Sequence, residues 1–236
     1  RVNAMLHLGT PRLIHVSSVA ALGRKSGVPA DESTLFEEQP GTSAYARSKH
    51  RAEMEAFRGA AEGLSDGLVV VNPTVILGQG DFRSSSSALF RVLDRGLSWY
   101  PEGSGGYVGA EDVAEVCVRL GASEVRGERF VLCAEHRTHL DVMTAIASAL
   151  DRTGPTRAVK PWVAGLVWRF VWLTERITGH KSMITRESLA SGSEHQRFDG
   201  SKIKRTLAEM GQDWDYTPIN KVIESTVQAY RRQCGS

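Results

Sequence analysis

The chain has 236 residues, enough for a sizeable core and for one or two domains. Its 29 Lys and Arg nearly balance 27 Asp and Glu, and a net charge of +2 argues against nucleic acid or an anionic membrane as partner. Three cysteines without paired spacing, Cys117, Cys133 and Cys234, indicate neither a disulfide framework nor a zinc site, so a reducing, cytoplasmic setting is expected.

Residues 1–8 are expected to form a helix leading into a short apolar strand, 13–16, that ends on Ser17 and Ser18. The stretch from Gly23 to Gly41 is rich in Gly, Pro, Ser and acidic residues and reads as a loop. A helix over about 43–62 follows. A second buried strand, 68–71, is closed by Asn72, Pro73 and Thr74, because proline cannot donate to a sheet ladder. Beyond a serine run at 84–87, a helix is expected over 88–95, a loop over the glycine-rich 103–109, a helix over 112–120 and a strand over 129–132. Helical patterning then takes over at 139–150, 162–178, 185–190 and 218–232. This order predicts an α/β class: a strand–helix part, 1–134, and a mostly helical part, 135–236. The 162–178 helix, with Trp162, Trp168 and Trp172, is too short to span a bilayer and is broken by Arg169, Glu175 and Arg176. Its apolar spacing favours a helix packed on its own lobe over a wall or lid above an apolar substrate or a contact with a membrane surface.

The chemistry starts at Tyr45-Ala-Arg-Ser-Lys49. Four residues apart on a helix, the phenol and the ammonium share one face, one turn apart. A phenol of ordinary pKa, about 10, is a poor acid/base at neutral pH, and a fixed cation beside it favours the phenolate. In an open α/β sheet, ligands sit at the strand C-termini. Ser18, Tyr45, Lys49 and the Pro73 turn are therefore expected to converge at one sheet edge.

The stretches His15-Val-Ser-Ser18, Tyr45-Ala-Arg-Ser-Lys49, Asn72-Pro-Thr-Val-Ile-Leu-Gly78 and Glu111-Asp-Val-Ala114, in that order, resemble the extended short-chain dehydrogenase/reductase superfamily. Within it the chain is most similar to the dihydroflavonol-reductase-like and hydroxysteroid-dehydrogenase-like group, with its NAD-dependent epimerase/dehydratase members. The resemblance implies the C-terminal half of a Rossmann-type parallel sheet with a small, mostly helical substrate-binding lobe. It implies Tyr45 as the general acid/base, Lys49 on the nicotinamide ribose and lowering the Tyr45 pKa, and Ser18, ahead of Ser17, orienting the reacting oxygen. Pro73, Thr74 and Val75 would adjoin the nicotinamide of NAD or NADP. A homodimer through a face containing the Tyr-bearing helix is implied as well. Phe198-Asp-Gly-Ser-Lys202 resembles the family's closing signature, and Asp112 could brace its helix or adjoin the substrate.

In that family four strands, a glycine-rich pyrophosphate turn and a ribose reader precede the position matched by Arg1. The chain is therefore expected to be an N-terminally truncated piece, inactive alone. Gly103 to Gly109 is a decoy for the missing turn. Among reactions, elimination is disfavoured because Val19, Ala20, Ala21 and Leu22, which follow Ser18, cannot transfer a proton. An apolar lining by these four suits an alcohol or ketone of low polarity. The alternatives left open are a sugar-nucleotide epimerase and a non-catalytic dinucleotide-binding regulator. His15 is expected to be a packed, hydrogen-bonded strand residue, Cys117 and Cys133 small core residues, and His136, His139, His180 and His195 surface residues without metal-ligand spacing.

Overall fold

The computed structural model describes residues 12–23, 27–39, 41–63, 67–83, 86–159 and 192–234, with Val2. The helices expected over 1–8, 162–178 and 185–190 fall outside the described residues, apart from Val2. In chain order the elements are β1 (Leu13–Val16), α1 (Ala44–Ala61), β2 (Leu68–Pro73) and β3 (Val75–Leu77). There follow α2 (Ala88–Asp94), β4 (Trp99–Tyr100), β5 (Ser104–Gly109), α3 (Ala110–Gly121) and β6 (Glu128–Leu132). Last come β7 (Glu135–Thr138), α4 (His139–Ala149), β8 (Arg157–Ala158), α5 (Ser201–Glu209) and α6 (Ile219–Cys234). The chain sorts into two compact units, each made of three segments.

The first unit comprises residues 1–76, 108–134 and 197–217. Its centre is a parallel sheet in the order β1-β2-β6, with Leu13 opposite Leu68, Val16 opposite Val71, and Pro73 opposite Leu132. All six residues of β2 are buried, as expected of a central parallel strand covered on both faces. Strand alternation divides them. Val69 and Val71 join Val113, Val116 and Leu120 of α3, Phe130 and Leu132 of β6, and Ile203 and Leu207 of α5 in one cluster. Leu68 and Val70 point the other way, against Ala56, Phe57 and Ala60 of α1. Residues 197–217, far along the sequence, thus complete one face of this sheet.

The second unit comprises 77–107, 135–196 and 218–236. Here α4 packs against both α2 and α6. Phe82 lies edge-on to Tyr230 at 5.1 Å, and the Tyr230 hydroxyl donates to Asp94 Oδ2 at 3.0 Å. The glycine-rich stretch expected as a loop is instead strand β5, whose Ser104 to Tyr107 pair antiparallel with Thr138 to Glu135 of β7. Glycine is required by the close approach: a Cβ on Gly103 would run into the carbonyls of Gly192 and Glu194. Among the described residues no helix is long and apolar enough to cross a membrane.

Candidate active site

Ser43 opens α1, its hydroxyl oxygen accepting the Ala46 N–H at 3.0 Å, which satisfies one of the helix's orphan donors. Tyr45 therefore stands in the first turn, where its side chain is 56% exposed. Lys49 follows one turn on, with Nζ 5.9 Å from the centroid of the Tyr45 ring. The same helix packs against the short 3-10 turn Val19–Ala21. Ser18 caps that turn, accepting the Ala20 N–H on Oγ at 3.2 Å. The hydroxyl hydrogen of Ser18 takes no part in this bond and can be donated to a ligand oxygen. Ser17, by contrast, is buried and donates to Glu53 at 2.6 Å.

Pro73 ends β2, and the N–H and hydroxyl of Thr74 both donate to the Leu132 carbonyl at 3.0 Å. Thr74 is thus committed to the sheet, while the Val75 side chain beyond it is 41% exposed. Ser18 and the Pro73–Val75 turn follow the carboxyl ends of β1 and β2, and α1 packs on the turn that Ser18 caps. That edge is where parallel sheets hold ligands.

Behind the exposed groups lies a buried polar cluster that has no counterpart among the sequence expectations. Glu53, on α1, is fully buried. Its Oε2 accepts Ser17 Oγ at 2.6 Å and Asn72 Nδ2 at 3.0 Å, and its Oε1 pairs with Arg129 of β6. Asn72 Nδ2 also donates to the Ser18 carbonyl at 3.0 Å. The signal in the sequence is its spacing: Glu53 is four residues beyond Lys49 and eight beyond Tyr45, with Ala46, Ala56 and Gly59 buried on the same helix.

His15 departs from expectation. It is half-buried, and its Nε2 has no hydrogen-bond partner among the described residues. Burial pushes its pKa below the usual histidine value; the Glu53 carboxylate opposes this and the Lys49 ammonium adds to it. The apolar lining also needs correction. Ala21 and Leu22 are buried, and Leu22 packs with Ala30, Val131, Cys133 and Phe198, so only Val19 and Ala20 remain partly exposed beside Ser18. The residue after them must be glycine, because a Cβ on Gly23 would collide with the Leu35 carbonyl. The loop is fixed further by Phe36, stacked on His50 of α1 at 4.2 Å.

Asp112 is buried in the first turn of α3 and accepts the Thr217 hydroxyl at 2.8 Å and the Thr217 N–H at 3.1 Å. Burial raises its pKa, against the Thr217 hydrogen bonds, which lower it. This is the geometry of a brace between α3 and the 197–217 segment. The strand β5 runs directly into α3, yet Glu111 and Asp112 in its first turn oppose an anion there. Phe198 makes a parallel bridge with Ala30, and the Asp199 carboxylate accepts the Ser201 N–H at 2.9 Å to start α5. Cys133 is buried with Leu22, Ala30, Val131 and Phe198, Cys117 packs half-buried against the separate cluster around Val69 and Val71, and Cys234 is exposed. Among the described residues no group of three or more His, Cys, Asp or Glu is arranged to hold a metal ion.

Comparison with known proteins agrees with this architecture. A Synechocystis sp. protein named only provisionally as a dihydroflavonol 4-reductase is 26% identical over 209 residues, covering 84% of this chain and 60% of its own. Sterol demethylase protein B of Methylococcus capsulatus is 28% identical over 156 residues, covering 65% of this chain and 47% of its own. The chain thus spans roughly half to three fifths of these relatives. A crystal structure of a nucleoside-diphosphate-sugar epimerase from Pseudomonas aeruginosa superposes with a TM-score of 0.78 at 21% identity, over 98% of this chain and 70% of that one, which identifies a shared Rossmann-type fold. The model of the NAD dependent epimerase/dehydratase family matches residues 2–133, more than half of the chain and the stretch that holds Ser18, Tyr45, Lys49, Glu53 and Pro73 to Val75, and the chain belongs to that family.

Proposed function

We propose that the full-length protein is an NAD(P)-dependent oxidoreductase acting on the CH–OH or C=O group of a small molecule of low polarity. One observation carries the reading: an exposed phenol in the first turn of α1, with an ammonium one turn behind it, on a helix packed against the turn that Ser18 caps. Tyr45 would exchange the proton with the substrate oxygen, and Ser18 would donate a hydrogen bond to orient that oxygen. Lys49, one turn behind Tyr45, would hold the ribose. The residues at this edge fit the nicotinamide end of a dinucleotide, since the exposed Val75 offers an apolar contact and Tyr45 and Lys49 offer polar ones. When bound, the cofactor supplies the hydride exchange.

The low polarity of the substrate is supported by Val19 and Ala20 beside Ser18, and by relatives whose names refer to a dihydroflavonol and a sterol. In this reading residues 1–134 carry the chemistry, and the residues beyond 134 that group in the second unit select the substrate. The test is the full-length protein with NADH and NADPH against steroid-like and flavonoid-like carbonyl compounds and UDP-sugars. Turnover of the ring ketones is expected, and Tyr45→Phe should lower it by about two to four orders of magnitude with little change in cofactor affinity. Unchanged turnover in Tyr45→Phe would reject Tyr45 as the acid/base. Tight UDP-sugar binding with inert ring ketones would replace the reductase by an epimerase.

A further inference from the structure

The most unusual group in the first unit is a carboxylate that the proposed chemistry does not use. Glu53 is fully buried, although a buried charge is stabilising only when it is paired and its remaining lone pairs are filled. An apolar residue would serve the core of α1 more cheaply. What the carboxylate provides instead is connection. Its three partners come from three places: Ser17 at the end of β1, Asn72 in β2 and Arg129 in β6. One side chain of α1 thus ties β2 and β6 to the residue that follows β1.

Asn72 extends the cluster to the site. Its two amide hydrogens are divided between the Glu53 carboxylate and the Ser18 carbonyl, each at 3.0 Å, while its own Oδ1 is buried without a partner among the described residues. Turning the amide over would set a carbonyl oxygen against a carboxylate and another carbonyl. The donors are therefore held where they are, at the expense of an orphaned acceptor. Ser17 is bound twice, through its hydroxyl to Glu53 and through its N–H to the Val71 carbonyl at 2.8 Å.

Helical geometry carries this order to the reacting groups. Tyr45, Lys49 and Glu53 stand four residues apart and follow one stripe of α1. A slip of α1 by one residue would swing that stripe by about 100° and remove Tyr45 from the edge where Ser18 lies. Pinning the deep end of the stripe fixes the rotation and height of its exposed end. We propose that Glu53 is a positioning residue: its buried carboxylate locks the Tyr45/Lys49 helix in register with the strand ends that carry Ser18. The inference rests on the reading of Tyr45 as acid/base.

Glu53→Gln, which keeps shape and removes the charge, and Ser17→Ala, which deletes one donor, test it in the full-length protein. Leu207→Ala, in the core on α5, serves as the control matched for lost melting temperature. The first measurement needs no substrate. Amide hydrogen exchange over residues 17–22 and 44–53 should speed up about tenfold or more in Glu53→Gln and in Ser17→Ala, and not in the control. The second is steady-state turnover of the ring ketones described above. In both variants kcat should fall about ten- to a hundredfold while the KM for NADH or NADPH stays within about threefold, the pattern of misplaced groups rather than of a lost protein fraction.

Unchanged exchange at both segments overturns the proposal whether or not a substrate is known. So does a fall in kcat no larger than that of Leu207→Ala. If Glu53→Gln does not fold, Ser17→Ala decides by the same criteria. The two readings separate cleanly: loss of turnover in Tyr45→Phe with normal kcat in the Glu53 and Ser17 variants removes only the positioning role, whereas full turnover in Tyr45→Phe removes the acid/base assignment itself.

Discussion

His15 shows how a single side chain reports on its surroundings. Its Nε2 is buried without a partner among the described residues, and burial, opposed by Glu53 and reinforced by Lys49, lowers its pKa from the usual 6.5. In the unfolded chain the imidazole titrates at its ordinary value, so the folded state is stabilised relative to it above that pH. The stability is lost as pH falls through the lower folded value. His15→Leu removes the titration and the orphaned nitrogen together. The urea midpoint of the parent should drop between about pH 7.5 and about pH 5, and that of His15→Leu should drop less. Equal drops would show that His15 carries no such burden. The contrast with Tyr45 and Lys49 explains what single residues disclose in sequence. A phenol and an ammonium four apart suggest a proton-transfer pair by type and spacing alone. Glu53 looks like any helical glutamate, and its role emerges only when the fold delivers Ser17, Asn72 and Arg129 to it.

At the scale of an element, α1 depends on its first turn. That turn holds Tyr45, contains no acidic residue to complement the helix dipole, and is closed by the Ser43 hydroxyl on the Ala46 N–H. Ser43→Ala should cost about 1 kcal/mol of unfolding free energy by urea titration, and Ser43→Asp should recover it by adding charge to the same cap. A Ser43→Asp protein as weak as Ser43→Ala would mean that the cap does not hold the turn. The ends of α1, β1 and β2 were legible because a serine, an apolar run and a proline each act locally. Strand β5 was not. Three glycines among its six residues contradict strand propensity, and the pairing that overrides it comes from β7, some thirty residues later. The apolar run Val19 to Leu22 misled in the opposite sense, since Ala21 and Leu22 are buried and Leu22 serves the core formed with Ala30, Val131, Cys133 and Phe198.

For the whole molecule the decisive feature is that residues 197–217 return to the parallel sheet. Ile203 and Leu207 of α5 are fully buried against Val69, Val71, Phe130 and Leu132, and Phe198 is buried beside Leu22 and Val131. Burying three such side chains is worth about 5 to 9 kcal/mol, comparable with the entire stability of an ordinary domain, about 5–15 kcal/mol. The Asp112–Thr217 brace and the salt bridge from Lys202 to Glu128, at 2.6 Å, add polar ties between the same segments. A chain ending at Ala134 keeps every proposed catalytic group yet exposes the part of the apolar face that α5 covers beside α3. It should therefore lose cooperative thermal unfolding. Rejoining residues 197–217 to it through a flexible linker should restore a single sharp transition, whereas adding the same residues with Ile203→Ala and Leu207→Ala should not. A sharp transition in the chain ending at Ala134 would show instead that the three strands with α1 and α3 suffice, and that the late segment decorates the sheet rather than completing it.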